Sequence, residues 1–361
     1  MKIKRLGLKN YRNCSDTELI FNEGRTLIIG KNAQGKTNIL ESIYFLSDLK
    51  SPRTSTVSDL IKINEEKCEI NAVVEKNDTE IELDFSYNTE KKRELKINKV
   101  KTNPRDFKSV VKTVLFSTKD LLLLRGTPEN RRDWLDRAIS QIYPAYDERL
   151  SKYDKIRVQK NNLLKNEIID ETLLDIYNDQ LVITGANIIF LRKKFLKEIE
   201  KIASEKHSSI SNSEVFSLNY TCQKDEIEEI SEYLKKQLSE RRKEEFARRQ
   251  SCVGPHRDDV EFSINRLDAT KFASQGQQRT LVLALKLSEL EIIKEKTGFY
   301  PILLLDDVLA ELDDARQNYL LKSIDNNTQT IITSVDTLLF DKEFLNGVKI
   351  YNIENGGVKS L

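Results

Sequence analysis

The chain has 361 residues, of which 39% are hydrophobic and 32% charged, and its formal net charge is +1. This length allows two domains with a sizeable core. Because the net charge is near zero, overall charge alone cannot hold a nucleic-acid partner, and any such partner must be bound by local basic patches. The four cysteines form no Cys-x-x-Cys pair, which argues against a zinc site. No apolar run approaches the ~20 residues of a membrane span, so we expect a cytoplasmic protein with no membrane partner.

The first hundred or so residues are predicted to form mostly strands. Apolar and polar residues alternate over residues 2–9 and 17–21, the pattern of strands with one buried face. A short apolar strand over residues 25–29 leads directly into a glycine-rich loop. Residues 68–76, 79–87 and 93–98 are predicted to form an antiparallel meander, and residues 110–116 another buried strand.

The glycine-rich loop at residues 30–37 reads Gly-Lys-Asn-Ala-Gln-Gly-Lys-Thr, and helical apolar spacing follows it. Its N–H groups can turn inward around phosphate oxygens only where no Cβ intervenes, which explains Gly30 and Gly35. Lys36 then reaches the β- and γ-phosphates of a nucleotide, and the Thr37 hydroxyl binds Mg²⁺. An ordinary glycine turn is the alternative, but the flanking strand and helix favour a phosphate loop. The candidate nucleotide-binding residues here are Gly30, Lys31, Asn32, Ala33, Gln34, Gly35, Lys36, Thr37 and Asn38.

From about residue 129 the pattern changes to helix. Apolar residues from Leu174 to Ile202 recur in steps of three, four or seven and draw one stripe along a helix. With the helix before it, this segment predicts an antiparallel hairpin whose arms have roughly 30 residues, or ~45 Å, each. A third helix is predicted over residues 225–250. The chain is therefore divided into a helical arm domain, residues 129–250, and a nucleotide-binding domain formed by residues 1–128 and 251–361, in which 260–264 is the first returning strand.

A second anion-binding turn is predicted at residues 274–277, Ser-Gln-Gly-Gln. Ser274 is a good N-cap for a helix over residues 275–296, and the free N–H groups of a helix start attract anions. The chain has two anion-binding helix starts but only one set of nucleotide-binding motifs, which predicts a two-fold dimer. In it, Ser274, Gly276 and Gln277 of one subunit cap the γ-phosphate held by the partner's loop. A capped helix with no ligand is the alternative.

Residues 302–305 form an apolar strand that ends in two carboxylates. Asp306 suits direct or water-mediated contact with Mg²⁺, and Asp307 stands where a general base meets the attacking water. Its side chain is one methylene shorter than the Glu common there, so we expect slow turnover. A last buried strand over residues 330–333 ends at polar residues placed to sense the γ-phosphate. The candidate catalytic residues are Lys36, Asp306, Asp307, Ser274 and Gln277, and the metal ligands are Thr37 and Asp306.

Together these motifs resemble the ABC-type ATPase heads of the SMC-like proteins and, among them, a family of bacterial recombination and gap-repair proteins. The resemblance covers essentially the whole chain. Its most specific parts are Gly-Pro-His-Arg-Asp-Asp at residues 254–259 and Ser-Gln-Gly-Gln-Gln-Arg at residues 274–279, which generic ABC ATPases do not share. It also rests on residues 8–13, 30–37, 51–54, 120–121, 126–128, 131–132 and 305–313.

The resemblance implies an α/β fold: an ABC-type (SMC-like) P-loop ATPase head with an inserted α-helical hairpin domain. It also implies an ATP-sandwiched homodimer, with Mg²⁺, that has weak DNA-stimulated ATPase activity and binds single-stranded, gapped or duplex DNA. Proteins of this kind work in gap repair and fork maintenance with RecO and RecR so that RecA can load, which supports the SOS response. By matching position, Arg12 and Asn13 lie near the nucleotide.

Local basic clusters are the candidate contacts to DNA phosphates. Charge runs are also common on solvated helix faces, so each cluster is a hypothesis. His256 and Arg257 are open in the same way, because they either contact nucleotide or brace the sheet. The clusters lie at residues 91–93, 131–132, 192–194, 241–243 and 248–249.

Three other functions share some of these motifs. A transporter ATPase subunit forms the same sandwich dimer, but the long hairpin argues against it, as does Val335 at the position of the transporters' switch histidine. Nuclease-associated SMC-like heads carry much longer coiled coils with a Cys-x-x-Cys hook. A small-molecule kinase has no place for the Ser274 turn or for the roughly 270 residues between Lys36 and Asp306.

Overall fold

The computed structural model describes residues 1–211 and 214–360. Within these residues the strands are β1 (Lys2–Tyr11), β2 (Cys14–Ile20), β3 (Arg25–Ile29), β4 (Lys67–Lys76), β5 (Thr79–Asn88), β6 (Arg93–Ile97), β7 (Val100–Lys101), β8 (Thr113–Ser117), β9 (Phe216–Tyr220), β10 (Val260–Ile264), β11 (Leu267–Asp268), β12 (Ile302–Asp306), β13 (Thr330–Ser334), β14 (Lys349–Glu354) and β15 (Gly357–Ser360). The helices are α1 (Lys36–Asp48), α2 (Pro104–Val110), α3 (Pro128–Ile142), α4 (Tyr146–Leu164), α5 (Glu171–Ser211), α6 (Ile227–Glu240), α7 (Arg242–Arg248), α8 (Ala269–Phe272), α9 (Gln275–Thr297), α10 (Asp314–Ser323) and α11 (Lys342–Leu345). None of these helices combines the length and the apolar character that a membrane crossing requires.

The chain divides into two compact units. The first comprises Met1–Leu121 and Val282–Leu361, and the second comprises Leu122–Leu281. The division falls inside α9. The predicted arm domain, residues 129–250, lies within the second unit, whereas residues 251–281, which we assigned to the nucleotide-binding domain, group with the second unit by contact. The domain boundaries expected from the sequence remain a prediction.

A largely parallel sheet in the first unit carries the phosphate loop. Among the described residues its strand order is β15-β14-β3-β13-β12-β8, and β15 alone runs antiparallel to its neighbour. Leu303, Leu304 and Leu305 of β12 are at most 1% exposed, as expected for a strand covered on both faces. Strands β3, β13 and β12 are consecutive and parallel, so their carboxyl ends meet at one edge of the sheet. The phosphate loop follows β3 at this edge, and the two aspartates lie at the end of β12.

The second sheet of this unit is antiparallel, with the order β2-β1-β4-β5-β6-β7 among the described residues. Alternate side chains of β1 and β4 point into an apolar cluster that also includes one side of α1. Phe45 of α1 meets Phe85 of β5 edge to face, with ring centroids 4.7 Å apart. The predicted meander is thus confirmed, and its packing secures the helix that starts at Lys36.

The second unit contains the predicted helical hairpin. Its arms are unequal, because α4 has 19 residues and α5 has 41, where we expected about 30 in each. The predicted stripe packs inward, since Leu174, Ile188 and Ile199 are fully buried. The predicted third helix is two helices, α6 and α7, because the chain leaves helical geometry at Arg241.

Two strand predictions need correction. Residues 110–116 do not form one strand, because Val110 ends α2 and β8 begins only at Thr113. The local signal was in the sequence, since the Asn103 side chain accepts the amide of Asp106 and Pro104 starts the helix. Strand β10 does form as predicted, but it pairs with β9 and β11 in a separate sheet of the second unit.

Candidate functional site

The loop between β3 and α1 has the geometry of a phosphate cradle. Gly30 and Gly35 have φ angles of 152° and 116°, which disfavour any residue with a Cβ. A Cβ on Gly30 would lie 2.6 Å from the Ile353 carbonyl oxygen, and one on Gly35 would lie 2.7 Å from Asn13 Oδ1. Both glycines are therefore required by backbone conformation and by close neighbours. Lys31, Asn32 and Ala33 form the exposed rim of the loop.

The Lys36 ammonium lies inside this loop. Its side chain is buried, and Nζ donates to the carbonyl oxygens of Gly30 at 2.7 Å and Lys31 at 3.3 Å. A buried positive charge held only by neutral carbonyls is poorly compensated, and an anion entering the loop compensates it better. This arrangement fits the triphosphate of a nucleotide.

Thr37 and Asp306 meet across the site, as the motif predicts. Thr37 Oγ1 donates to Asp306 Oδ1 at 2.9 Å, and Thr333 of the adjacent strand donates to the same oxygen at 3.1 Å. Burial raises the pKa of Asp306, and the nearby Asp307 raises it further. A hydroxyl and a carboxylate are hard oxygen ligands of the kind Mg²⁺ prefers. The described residues hold no cluster of three or more His, Cys, Asp or Glu side chains suited to a metal, so phosphate and water oxygens would complete the coordination.

Asp307 has an unusual environment for a carboxylate. Its backbone adopts φ 50°, and its amide donates to Thr333 Oγ1 at 2.9 Å. Its Oδ1 atom is buried and accepts no hydrogen bond from any residue the structure describes. A buried acceptor without a donor is costly, and it is suited to take a proton or hydrogen bond from a bound molecule. This geometry is compatible with the predicted contact to an attacking water.

Arg12 lies beside α1 in a fixed orientation. Its Nε and Nη2 donate to the two oxygens of Glu41 at 3.0 and 2.7 Å, and Nη1 donates to the Asp59 carbonyl at 2.7 Å. Glu41 is 1% exposed, so this bidentate pair is shielded from water. The prediction that Arg12 lies near the nucleotide remains a prediction, but its orientation is now explained.

Asn13 braces the phosphate loop from outside. Its Nδ2 donates to the Gln34 carbonyl at 3.0 Å, and its Oδ1 accepts from Asn38 Nδ2 at 2.7 Å. Gln34 is held further by the amides of Asn355 and Gly356, at 2.6 and 2.9 Å. The side chains of Asn13, Gln34 and Asn38, all predicted nucleotide-site residues, therefore help to hold the loop in shape.

Glu41 and Arg53 are the residues that sequence reasoning missed. Arg53 Nη1 donates to Asn38 Oδ1 and lies 3.4 Å from Glu41 Oε2. The positive charge of Arg53 also partly offsets the rise in the pKa of Asp306. Arg53 had been noted only as part of a motif. Glu41 had a local signal, because it is an acidic residue directly after the apolar pair Ile39 and Leu40 in a mostly buried helix.

Ser274 caps helix α9 as predicted. Gln277 N donates to Ser274 Oγ at 3.2 Å, and Ser274 N donates to Gln277 Oε1 at 2.8 Å, which makes a reciprocal capping box. The hydroxyl oxygen of Ser274 acts as acceptor here, so its proton is free to be donated elsewhere. Ser274, Gly276 and Gln277 belong to the second compact unit, whereas residues 30–37 belong to the first.

His256 and Arg257 brace the second unit. His256 Nε2 donates to the Ser251 carbonyl at 3.2 Å and Nδ1 accepts from the Tyr153 hydroxyl at 2.7 Å, so the ring is held neutral. Burial lowers the pKa of His256 to about 3. Arg257 donates to the same Ser251 carbonyl at 3.1 Å. A Cβ on Gly254 would clash with the Tyr153 hydroxyl, which explains this glycine.

Arginines from two of the basic clusters form hydrogen bonds and ion pairs inside the protein. Arg131 makes a bidentate pair with Asp259 at 2.7 Å per bond, and the adjacent Arg132 donates to the Asp258 carbonyl. The Arg192 side chain is 3% exposed and pairs with Asp136. These arginines stabilise the second unit, and Arg131 and Arg192 are buried. Lys194 and Lys243, in contrast, are exposed.

Comparison with known proteins agrees with this geometry. The model of the RecF/RecN/SMC N terminal domain matches residues 2–359. A DNA replication and repair protein RecF of Streptococcus gordonii is 42% identical over 99% of this chain and 100% of its own length. The RecF of Bacillus subtilis is 38% identical over 99% of this chain and 100% of its own length.

Solved structures give the same result. A recombination mediator protein RecF of the RecFOR pathway, solved with ATP, is 36% identical and superposes with a TM-score of 0.91 over 99% of this chain and 97% of that one. An Smc head bound to a ScpA winged-helix domain shares only the fold, at 15% identity and a TM-score of 0.56 over 100% and 98% of the two chains. The ABC-type, SMC-like head fold expected from the motifs is confirmed, and the chain belongs to the RecF family of DNA replication and repair proteins.

Proposed function

We propose that this chain is an ATP-dependent DNA-binding protein of recombinational gap repair and replication-fork maintenance. The observation that carries the proposal is the hydrogen bond of 2.9 Å between Thr37 Oγ1 and Asp306 Oδ1. It brings the phosphate loop and the strand carboxylate together as an ATP–Mg²⁺ site requires. Membership of the RecF family and the ATP-bound relative supply the biological context.

Each residue at the site has a distinct task in this proposal. Lys36 exchanges its loop carbonyls for the β- and γ-phosphates, while Thr37 and Asp306 hold Mg²⁺. When bound there, Mg²⁺ would supply positive charge that stabilises the negative charge on the phosphate oxygens. Asp307 offers its unpartnered Oδ1 to the attacking water. Because the aspartate side chain reaches less far than that of a glutamate, ATP hydrolysis is weak. In this proposal hydrolysis acts as a switch for DNA binding.

The second half of each ATP site comes from a partner subunit. In the proposed homodimer, the Ser274 hydroxyl and the helix start at Gly276 cap the γ-phosphate held by the partner's residues 30–37. The capping box supports this assignment because it sets the helix start rigidly and leaves the Ser274 proton available. Two nucleotides are thereby enclosed in a two-fold dimer.

The dimer binds single-stranded, gapped and duplex DNA and works with RecO and RecR in the loading of RecA, which supports the SOS response. Exposed basic residues of the clusters at 91–93, 192–194 and 241–243 neutralise DNA phosphates. The related RecF of the RecFOR pathway supports the choice of partners.

Mixing two defective variants tests this function. Lys36→Ala should lose ATP binding and leave the cap intact, whereas Ser274→Arg should bind ATP at its own loop but fail to dimerise. A mixed dimer contains one composite site built from the sound loop of Ser274→Arg and the sound cap of Lys36→Ala. ATP-dependent association, followed by light scattering, should therefore be partly restored in the mixture.

Lys50→Ala, an exposed lysine just beyond α1, is the matched control and should dimerise normally. Normal dimerisation of Ser274→Arg alone would disprove the assignment of the cap to the partner's nucleotide.

A further inference from the structure

Gln277 is held by a residue that the motifs do not include. Its Oε1 accepts the Ser274 amide at 2.8 Å, and its Nε2 donates to Glu214 Oε1 at 2.7 Å. The side-chain amide is thus fixed at both ends, and its oxygen and nitrogen cannot exchange places without losing both bonds. Gln277 acts on the turn through this fixed orientation.

Glu214 is itself held in a confined space. It precedes strand β9, and its Oε2 atom is buried with no hydrogen-bond donor among the described residues. The fully buried His207 of α5 faces this oxygen, with Nε2 3.8 Å away and likewise without a hydrogen bond among the described residues. Phe216 packs beside the histidine ring at 5.8 Å between centroids. The carboxylate is therefore enclosed on one side by His207 and bonded on the other to Gln277.

The short bond from Gln277 is charge-assisted, because its acceptor is a carboxylate, and it is partly buried. Removing that acceptor would leave Gln277 Nε2 without its partner and free the amide to rotate away from Ser274 N. The capping box would then lose one of its two bonds, and the helix start would lose its fixed geometry.

We propose that Glu214 is a positioning residue for the Ser274 turn, holding Gln277 so that the turn is preorganised for the partner subunit's nucleotide. This inference rests on the proposed function, because it gives Glu214 a role in the site completed in trans. A role in trans has a consequence that simple stabilisation of the fold lacks. A Glu214 lesion must behave like a cap lesion and not like a loop lesion.

Three variants separate these possibilities. Glu214→Ala removes the acceptor, and Glu214→Gln keeps an acceptor oxygen but removes the charge. Glu200→Ala is the matched control, since Glu200 Oε1 also accepts a hydrogen bond from the second unit's sheet, at 2.9 Å from Leu218 N, without contacting the turn. Each is measured for monomer ATP binding and for ATP-dependent dimerisation by light scattering.

Glu214→Ala should bind ATP at its own loop with wild-type affinity and dimerise about tenfold more weakly, the effect of losing a charge-assisted hydrogen bond. Glu214→Gln should recover most of this loss, and Glu200→Ala should match wild type. Mixed with Lys36→Ala, Glu214→Ala should associate as strongly as wild type does with Lys36→Ala, because the weakened cap then faces the loop that holds no nucleotide. Mixed with Ser274→Arg, it should associate more weakly than wild type does with Ser274→Arg, because both caps are then defective.

Normal dimerisation of Glu214→Ala would overturn the inference. So would loss of its own ATP binding, or weaker association with Lys36→Ala than wild type shows, since either result places the lesion outside the cap. If Ser274→Arg itself dimerises normally, the proposed in-trans function fails, which is a separate result from any of these.

Discussion

The carboxylates at the end of β12 differ in their hydrogen bonding although they are consecutive residues. Asp306 Oδ1 accepts from Thr37 and Thr333, whereas Asp307 Oδ1 has no donor among the described residues. The Asp306 oxygen is therefore fixed by two donors, whereas the Asp307 oxygen is open to a donor from a bound molecule. This difference predicts different effects for the two kinds of substitution at the site.

Asp307→Asn should keep ATP affinity and slow hydrolysis about 100-fold, the usual size of a general-base contribution. Lys36→Ala, in contrast, should lose ATP binding because the loop loses its buried positive charge. Equilibrium nucleotide binding and single-turnover hydrolysis measure the two effects separately. Equal loss of nucleotide affinity in both variants would contradict the role given to Asp307.

Asp258 predicts a pH dependence of stability at a single residue. Burial raises its pKa from 3.8 to about 6, although the Tyr220 hydroxyl bonds to it. Between about pH 4 and about pH 6 the folded state then binds more protons than the unfolded state, so this group's contribution to stability falls as the pH rises. Above about pH 6, Asp258 is ionised in the folded state, and the full free-energy cost of burying its charge remains.

Asp258→Asn should remove that cost and keep an acceptor for Tyr220. Relative to wild type, its free energy of unfolding should rise between pH 4 and pH 6 by up to about 3 kcal/mol. Urea unfolding at several pH values measures this difference. The contribution of His256 to stability has the opposite pH dependence, because its lowered pKa costs stability as the pH falls below 6.5. This contribution is the same in wild type and variant, so it cancels from the difference between them. A difference in free energy of unfolding between variant and wild type that does not change between pH 4 and pH 6 would contradict the prediction.

At the scale of elements, a buried ion pair joins helices α4 and α7. Lys160 Nζ lies 2.8 and 2.7 Å from the two oxygens of Glu245, and neither side chain is more than 1% exposed. Burial lowers the pKa of Lys160, and the attraction of Glu245 opposes that effect. Glu245 also accepts the amide of Cys252 at 2.9 Å. The pair thus holds a short helix and the following segment against the hairpin.

Lys160→Met should lower the free energy of unfolding by about 3 kcal/mol, because it leaves a buried carboxylate without its cation. Adding Glu245→Gln should recover part of the loss, since the uncompensated charge disappears while the Cys252 amide keeps an acceptor. Lys155→Met, an exposed lysine of the same helix, should change stability by less than about 0.5 kcal/mol. Thermal or urea unfolding compares the three. No recovery in the double variant would show that the charge is not the cause.

At the scale of the whole molecule, the chain carries 59 basic and 58 acidic residues, so its net charge cannot attract DNA. The proposed DNA binding then depends on a limited number of exposed lysines and arginines that can contact phosphates. The burial of Arg131 and Arg192 reduces that number further.

Affinity for DNA should therefore fall steeply with salt, because each neutralised phosphate releases condensed counterions. The slope of log K against log salt is about −0.9 per contact on duplex DNA and about −0.7 on single strands. Fluorescence anisotropy with ATP at several salt concentrations measures it. Binding that does not change with salt would remove the basic clusters from the account.

Local sequence patterns were sufficient for the elements around the nucleotide site. The glycines of the loop, the cap at Ser274 and the apolar run before Asp306 each arise from backbone conformation or burial within a few residues. The meander and the hairpin follow from periods of two and 3.6 residues. The start of α2 was missed although its signal, Asn103 before Pro104, was equally local.

Contacts between distant residues were decided only by the tertiary structure. The pairing of Arg12 with Glu41, the burial of Arg192 and the bond from Gln277 to Glu214 join residues that no local period relates. The sequence by itself determined the family, the phosphate loop and the order of the motifs, because these depend on residue type and short spacing. Which charges are buried in pairs and which remain exposed depends on packing, since burial is set by elements that the chain brings together only when it folds.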